Sequence, residues 1–375
     1  MIFLKIKKDN SKKENNYVYT LLQKDGNQMK RMTIFIGISL LIGCSGAFKS
    51  EEEHIKPAKH DSTIEISYAG DAMMDWSVKQ VMEQKGANYP FKDITPAIKK
   101  ADFSIVNVET AITTKGTPYP KQFNFRSNPS SITGLKQSGF DLVSLANNHS
   151  MDYGTEGLID TMDYLKQEKL PYIGAGIDDK EAYRAFHQTI KGKNISFLAF
   201  SRVLPDGNWF SGPNKIGIAN AYEEKKVIEA IEREKKESDH VFVYIHWGIE
   251  KNNQPEEYQR ALAKKMIDAG ADAIIGSHPH VLQGFEYYKG KPIAYSIGNF
   301  LFPNYITGRA TETGLLTICI KNNHFSMKFQ PYEISQNQII KKDQAYDTKQ
   351  MNYLQQLSPN TTIKGNTILP KKTRE

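Results

Sequence analysis

The chain has 375 residues, room for one large domain or two, and is 39% hydrophobic, an ordinary globular composition with enough apolar residues for a sizeable core. Its net charge of +7 is no nucleic-acid footprint, because eleven Lys/Arg against six Asp/Glu fall in residues 1–60 and four against one from 363 onward. The stretch between is neutral to within one charge, which excludes a basic surface for DNA or RNA in the body of the protein.

In chain order, Met29-Lys-Arg31 precedes the apolar run Met32-Thr-Ile-Phe-Ile-Gly-Ile-Ser-Leu-Leu41 and then Ile42-Gly43-Cys44. A short basic segment, a short apolar run and small residues make a secretory signal. Leu41-Ile-Gly-Cys44 resembles the bacterial lipobox, whose Cys is lipidated. The run is short for a membrane-spanning helix, which needs roughly 20 apolar residues, although an ordinary membrane anchor is the competing reading. Residues 1–28 then read as an upstream extension, 29–43 as a lipoprotein signal and 44–62, polar and charged, as a tether. With Cys44 acylated, Cys319 has no partner, so no disulfide is expected, and Cys319 reads as a buried strand residue.

From Thr63 strands and helices alternate. Strands are expected at Ile64–Ala69, Phe103–Val108, Ile195–Phe200, Ile293–Ile297, Leu315–Ile320 and Phe325–Tyr332. Three more short apolar runs, Asp141–Ala146, Val241–Ile245 and Ala273–Ile275, carry the same signature. Helices are expected at Ser77–Gln84, capped by Asp75 or Ser77, and at Thr155–Gln167, Tyr222–Ser238 and Glu256–Ala269. This order predicts a layered α/β domain over 63–335 with a mixed sheet. Residues 336–375, polar and aperiodic after about Ile340, read as a weakly ordered tail. No internal repeat is visible.

The histidines carry the functional signal. Of nine, His149, His246, His278 and His280 follow short strand-like runs, and strand ends of such sheets open into ligand-bearing loops. Beside them, Tyr68-Ala-Gly-Asp71 presents a carboxylate at a strand exit, although Asp71 as a helix cap is an equal reading. In Asn107-Val-Glu109 alternation puts both side chains on one face. Imidazole, carboxylate and the neutral oxygen of Asn148 suit zinc or a transition metal. In Asn147-Asn-His149-Ser-Met-Asp152-Tyr-Gly154 the imidazole of His149 is placed to donate a proton. Asp152 would hold it in the donor tautomer and raise its pKa, while Asn147 is equally a turn cap. Gly276-Ser-His278-Pro-His280 is the sharpest element: histidines two apart in an extended segment share a face, and Pro279 biases His278 toward extended geometry. Asn299 in Ser296-Ile-Gly-Asn299 is a candidate to orient a ligand, or a turn residue. Gly174-Ala-Gly176 lacks the third glycine of a dinucleotide loop and Ser277 lacks a nucleophile's surroundings, while Lys121 and Arg126 are candidates to meet an anionic substrate, although single loop charges are more often surface residues.

Six motifs in order, Gly70-Asp71, Asn107-x-Glu109, Ala146 to Gly154, His246-Trp-Gly248, Gly276-x-His-Pro-His280 and Ser296-x-Gly-Asn299-Phe, resemble the CapA-type poly-γ-glutamate capsule-synthesis proteins within the calcineurin-like metallophosphoesterase superfamily. The resemblance runs from about Glu65 to Phe302. It implies a four-layer α/β/β/α sandwich with its site at the strand ends. Asp71, Glu109, Asn148, His246, His278 and His280 match the metal-ligand positions and His149 the proton-donating histidine, with Asn107, Asn147 and Asn299 as supporting residues. Two departures stand out: Met73 replaces a histidine ligand of the superfamily and Asn-x-Glu replaces its Gly-Asp, which predicts one divalent ion (Mn, Fe or Zn) rather than two. The expected role is that of an extracytoplasmic, lipid-anchored protein making, exporting or anchoring poly-γ-glutamate, alongside membrane-bound capsule-synthesis proteins and without nucleic acid. A metal-dependent envelope phosphoesterase and a non-catalytic scaffold are the alternatives.

Overall fold

The computed structural model describes residues 63–371 and the strands at Ile2–Lys8, Tyr17–Asp25 and Gln28–Ile34. The chain divides into two units, Met1–Lys59 and His60–Glu375. In the first, the three strands pair antiparallel in sequence order, and the third covers the opening residues of the expected signal. Cys44 and the expected tether lie outside the described residues. Among the described residues no helix is long and apolar enough to cross a membrane.

In the second unit β1 spans Ile64–Ala72, α1 Trp76–Lys85, β2 Phe103–Val108, α2 Ser130–Ser138, β3 Leu142–Ser144, α3 Gly154–Gln167 and β4 Tyr172–Ile173. Then come β5 Phe186–Ile190, β6 Lys193–Ser201, α4 Glu224–Lys235, β7 His240–His246, α5 Glu257–Asp268 and β8 Ala273–Ser277. The chain closes with β9 Phe285–Tyr288, β10 Lys291–Ala294, β11 Asn299–Leu301, β12 Glu312–Lys321, β13 His324–Ser335, β14 Gln338–Ile340, α6 Gln344–Leu357, β15 Thr361–Lys364 and β16 Thr367–Pro370.

Two sheets result. One has ten strands in the order β15-β16-β13-β12-β1-β2-β3-β4, with β11 beside β1 and β14 beside β13; the other has six in the order β5-β6-β7-β8-β10-β9. Strands β1 to β4 run parallel, as do β6, β7, β8 and β10, so their C-terminal ends cluster. The sheets face each other: Phe103 stacks on Phe197 at 4.9 Å, and the Tyr244 hydroxyl donates to the Ala69 carbonyl at 2.9 Å. Strand β7 shows how alternation builds the layers. Val241, Val243 and Ile245 pack with Val227, Ile231, Leu262 and Met266 of α4 and α5, while Phe242 and Tyr244 join the core between the sheets. His246 continues the inward series. Helices α1 to α3 bury Val78, Met82, Ile132, Leu135, Leu158, Met162 and Leu165 against the first sheet. The α/β/β/α sandwich expected from the sequence is therefore present.

Two readings are corrected. The segment from Ile293 leaves the ladder after Ala294, and Tyr295–Gly298 instead runs toward β1. Helix α1 starts as expected, but Asp75 caps it with no side-chain hydrogen bond, its carboxylate accepting from the Arg126 backbone instead. The larger correction concerns residues beyond Ile340. They form α6 and the β15–β16 hairpin, because Met351, Leu354 and Ile368 are spaced to enter the main core despite polar neighbours. Leu354 is fully buried, so Leu354→Ala is expected to cost about 2–5 kcal/mol of unfolding free energy. Denaturant titration checks this; a weakly ordered tail would give no change.

Candidate metal centre

The cleft between the sheets, at the C-terminal ends of β1, β2, β7 and β8, gathers the sequence-predicted ligands. Asp71 reaches it through a bulge in β1, where the register against β2 shifts between Ala69 and Asp71. The extra residue turns Asp71 onto the inward face of Tyr68. It needs Gly70: a Cβ there would stand 1.9 Å from the Gly298 carbonyl oxygen, which accepts from the Asp71 amide at 3.1 Å. Asp71 Oδ1 accepts from Asn107 Nδ2 at 2.7 Å and Oδ2 from the His278 amide at 2.9 Å. Asn107 and Glu109 do share a face, as alternation predicts.

Glu109 is fully buried and neither carboxylate oxygen has a hydrogen-bond partner, although His246 Nε2 lies 3.3 Å from Oε1 and His280 Nδ1 3.9 Å from Oε2. Burial first, then the neighbouring Asp71, push its pKa well above the carboxylate range. His246 is oriented by Ser277, whose Oγ lies 3.0 Å from Nδ1, leaving Nε2 to face Glu109 and Asn148 Oδ1, the latter at 2.7 Å. Burial holds His246 down at about 4 and His278 well below its usual value, so both are neutral imidazoles at pH 7. His278 Nδ1 is buried without a partner. Burial also lowers His280, but the carboxylates of Glu109 and Asp71 outweigh it and leave its pKa raised. His280 Nδ1 sits 2.8 Å from Asn299 Oδ1, which assigns Asn299 the orienting role and not only a turn.

Two ligand groups emerge, Glu109 with His246 and His278, and Asp71 with Glu109 and His280, each with ligand atoms within 4.8 Å of one another. The orphaned atoms of Glu109 and His278, neutral imidazoles and two uncompensated acids fit a divalent cation of the borderline class. Met73 is fully buried with Phe125, Phe302 and Ile306, an apolar contact rather than a ligand position.

The His278-Pro279-His280 loop is not extended. His278 has φ 96° and His280 φ 58°, left-handed values that override the extended bias set by Pro279. The turn lets the His278 amide reach Asp71 while the two rings remain 5.7 Å apart.

His149 lies at the edge of the cleft, stacked on Phe125 at 4.1 Å, with Nδ1 2.7 Å from Asp152 Oδ2. The Asp152 carboxylate stands as an acceptor opposite Nδ1, the position the tautomer expectation requires of it. The pKa expectation does not hold: burial lowers His149 to about 4, outweighing Asp152, and Lys121 adds to the lowering. Asn147 caps this turn and ties it to β2, accepting from the His149 amide at 3.0 Å and donating to the Val108 carbonyl at 2.8 Å and Asn107 Oδ1 at 3.1 Å. Lys121, for which the sequence offered an anionic substrate or the commoner surface role, is drawn in beside His149. Its Nζ donates to the Asn148 carbonyl at 2.6 Å, pairs with Asp152 Oδ1 at 2.5 Å and lies 3.2 Å from His149 Nδ1. No spacing rule marks it, because a loop places it. Arg126 is also engaged, its guanidinium 3.5 Å over the Tyr153 ring.

The sequence matches the model of the family described as "Bacterial capsule synthesis protein PGA_cap" over residues 65–304. The chain belongs to that family. It is 35% identical over 321 residues to "PGA biosynthesis protein CapA" of Bacillus subtilis, covering 83% of each chain. It is 31% identical over 300 residues to "Capsule biosynthesis protein CapA" of Bacillus anthracis, covering 78% of this chain and 73% of the other. Among solved structures it is similar to a hypothetical protein of Thermus thermophilus (TM-score 0.47, 18% identity, 72% of this chain and 100% of that one). It is also similar to the NAD nucleotidase of Haemophilus influenzae (TM-score 0.44, 15% identity, 81% and 57%). Likeness at that level says nothing of substrate.

The raised pKa of Glu109 means the folded chain holds that proton more tightly than the unfolded one. Its contribution to stability is present at low pH and lost as pH rises through the folded value. Glu109→Gln is therefore expected to stabilise the metal-free chain at pH 7 by on the order of 1 kcal/mol and to abolish any rise in Tm on adding Mn²⁺ or Zn²⁺. Thermal unfolding with and without chelator reads both effects. An equal metal-induced rise in wild type and variant would remove Glu109 from the site.

Proposed function

We propose that this protein acts in the synthesis of a poly-γ-glutamate capsule, on the outer side of the membrane, through a divalent metal centre held by Asp71, Glu109, Asn148, His246, His278 and His280. Family membership and the two CapA relatives support the capsule role. The observation that carries the metal reading is Glu109, a buried carboxylate with both oxygens unpartnered, shared by two groups of ligand atoms. A bound ion there (Mn, Fe or Zn, one or two) supplies Lewis-acid polarisation of a carbonyl or phosphoryl oxygen. Ser277 and Asn299 fix the rings of His246 and His280. Asp152 fixes His149 as the Nδ1–H tautomer, leaving Nε2 free to exchange a proton with a substrate oxygen. Lys121 places a positive charge beside it for an anionic substrate. In this reading Cys44 carries the lipid that keeps the cleft near the membrane-bound partners that make or export the polymer.

The buttressed His149–Asp152 pair also favours a second reading, an envelope phosphoesterase, in which Nε2 of the neutral His149 would accept the proton released as water attacks and return it to the alkoxide leaving group. Complementation of a strain lacking the gene separates the two. Loss of surface polyglutamate is expected with both His149→Ala and His246→Ala, the former lowering turnover by on the order of 10²–10⁴ while metal is retained. Loss with His246→Ala alone would indicate a binding role. Intact polymer with measurable phosphodiester turnover would favour the second reading.

The anchor has its own test. Labelled fatty acid is expected in the wild-type protein and not in Cys44→Ala, which should be released or left unprocessed; an unlabelled wild-type protein would dismiss the anchor.

A further inference from the structure

Beside the metal cleft lies a cavity of about 330 Å³ walled by Lys251, Asn253, Val281, Thr307, Arg309 and Ala310. Its walls continue from the elements of the centre. Lys251 and Asn253 belong to the loop after β7, and Val281 follows His280. The Ala310 carbonyl accepts from Asn299 Nδ2 at 2.9 Å, the same Asn299 that meets His280. The wall chemistry is cationic and neutral, with no carboxylate among the lining residues.

The fold fixes the backbone of one cation and the side chain of the other. Lys251 has φ 62°, a left-handed backbone that lysine disfavours, and its amide donates to the Pro279 carbonyl at 2.7 Å, fastening it to the His278-Pro279-His280 loop. Its ammonium has no ion-pair partner among the described residues. The Arg309 guanidinium lies 3.5 Å over the Tyr353 ring of α6, and Asn253 Nδ2 donates to the Tyr353 hydroxyl at 2.8 Å, joining two walls. Arg309 Nη1 pairs with Glu312 Oε2 at 3.1 Å, which leaves most of its five donors available. An aromatic-backed arginine fork matches a carboxylate bidentately, and a nearby lysine adds a point charge.

We propose that this pocket is a carboxylate subsite that seats a free α-carboxylate of a γ-linked glutamyl chain while a neighbouring linkage lies at the metal centre. The proposal rests on the capsule-polymer reading above. A γ-linkage leaves one α-carboxylate free on each residue, so a chain crossing the cleft presents another anion within reach of the pocket. Phosphate shares the anionic chemistry, and the test distinguishes it.

The test measures binding of fluorescein-labelled γ-linked octaglutamate to the full chain by anisotropy across a salt series. Unlabelled peptide, the same peptide with its carboxylates amidated, and inorganic phosphate serve as competitors. Lys251→Asn, which tolerates positive φ, and Arg309→Gln are each expected to weaken binding about three- to tenfold and to flatten its salt dependence. Arg309→Lys should recover only part of the loss. Lys169→Asn, at another exposed left-handed lysine (φ 57°), should change nothing. Amidated peptide and phosphate should compete poorly. Wild-type strength in both pocket variants would overturn the subsite and leave the capsule reading standing. No binding of the peptide by wild type would overturn both. Phosphate displacing the peptide at equal concentration would overturn the carboxylate assignment.

Discussion

Two acids, Asp71 and Glu109, lie fully buried at the floor of the cleft, within reach of two histidines and, among the described residues, of no lysine or arginine that pairs with them. Burying like charges together is strongly unfavourable unless a cation or a proton compensates. The surroundings show how the fold answers this. Asn107 and the His278 amide satisfy Asp71, while the Glu109 oxygens have no hydrogen-bond partner among the described residues and face the imidazoles of His246 and His280. A chain that needed only a stable core would place an apolar residue at that position. Keeping Glu109 there makes sense where a divalent ion supplies the missing charge.

Every other feature of the cleft serves that placement. Strand parity delivers Asn107 and His246 inward from two facing sheets, and the β1 bulge brings Asp71 onto the same side. The bulge requires a bare backbone at Gly70 against Gly298, so the segment that leaves β10 is part of the site although it carries no ligand and leads only to Asn299, which orients one. The His278 to His280 turn accepts two left-handed residues, which is local strain held by contacts on both sides. Ser277, Asn299 and Asn147 then fix the rings and the loop, so the ligand atoms meet without rearrangement.

Positive charge flanks the cleft in two places, although the Glu250 carboxylate also acts on Glu109 and His280. Lys121 stands beside His149 on one flank, and Lys251 with Arg309 on another. Helix α6 supplies Tyr353 behind Arg309, and the match to the family ends at residue 304, before either of them. The C-terminal segment therefore contributes to the cleft's surroundings as well as to the core.

Much of this was legible in the chain. Period-two apolar runs located the sheet strands within a few residues, and histidines or acids at their ends marked the metal centre, because a strand fixes both the direction and the face of each side chain. That Met73 stands where related proteins carry a ligand was legible only through the family resemblance. The rest depended on contacts between segments far apart in sequence. Lys121 looks like any loop lysine until the loop folds over His149 and burial lowers its pKa. The depressed pKa of His149 likewise follows from desolvation, which no local motif encodes. Residues 344–370 read as a tail because their own composition is polar, yet the first sheet offers an apolar face that Met351, Leu354 and Ile368 can cover. The sequence by itself determined the strands that end in the cleft and the ligand types they carry. Only the tertiary structure decided which charges are buried and what surrounds them, since desolvation depends on everything packed around a group and not on its neighbours along the chain.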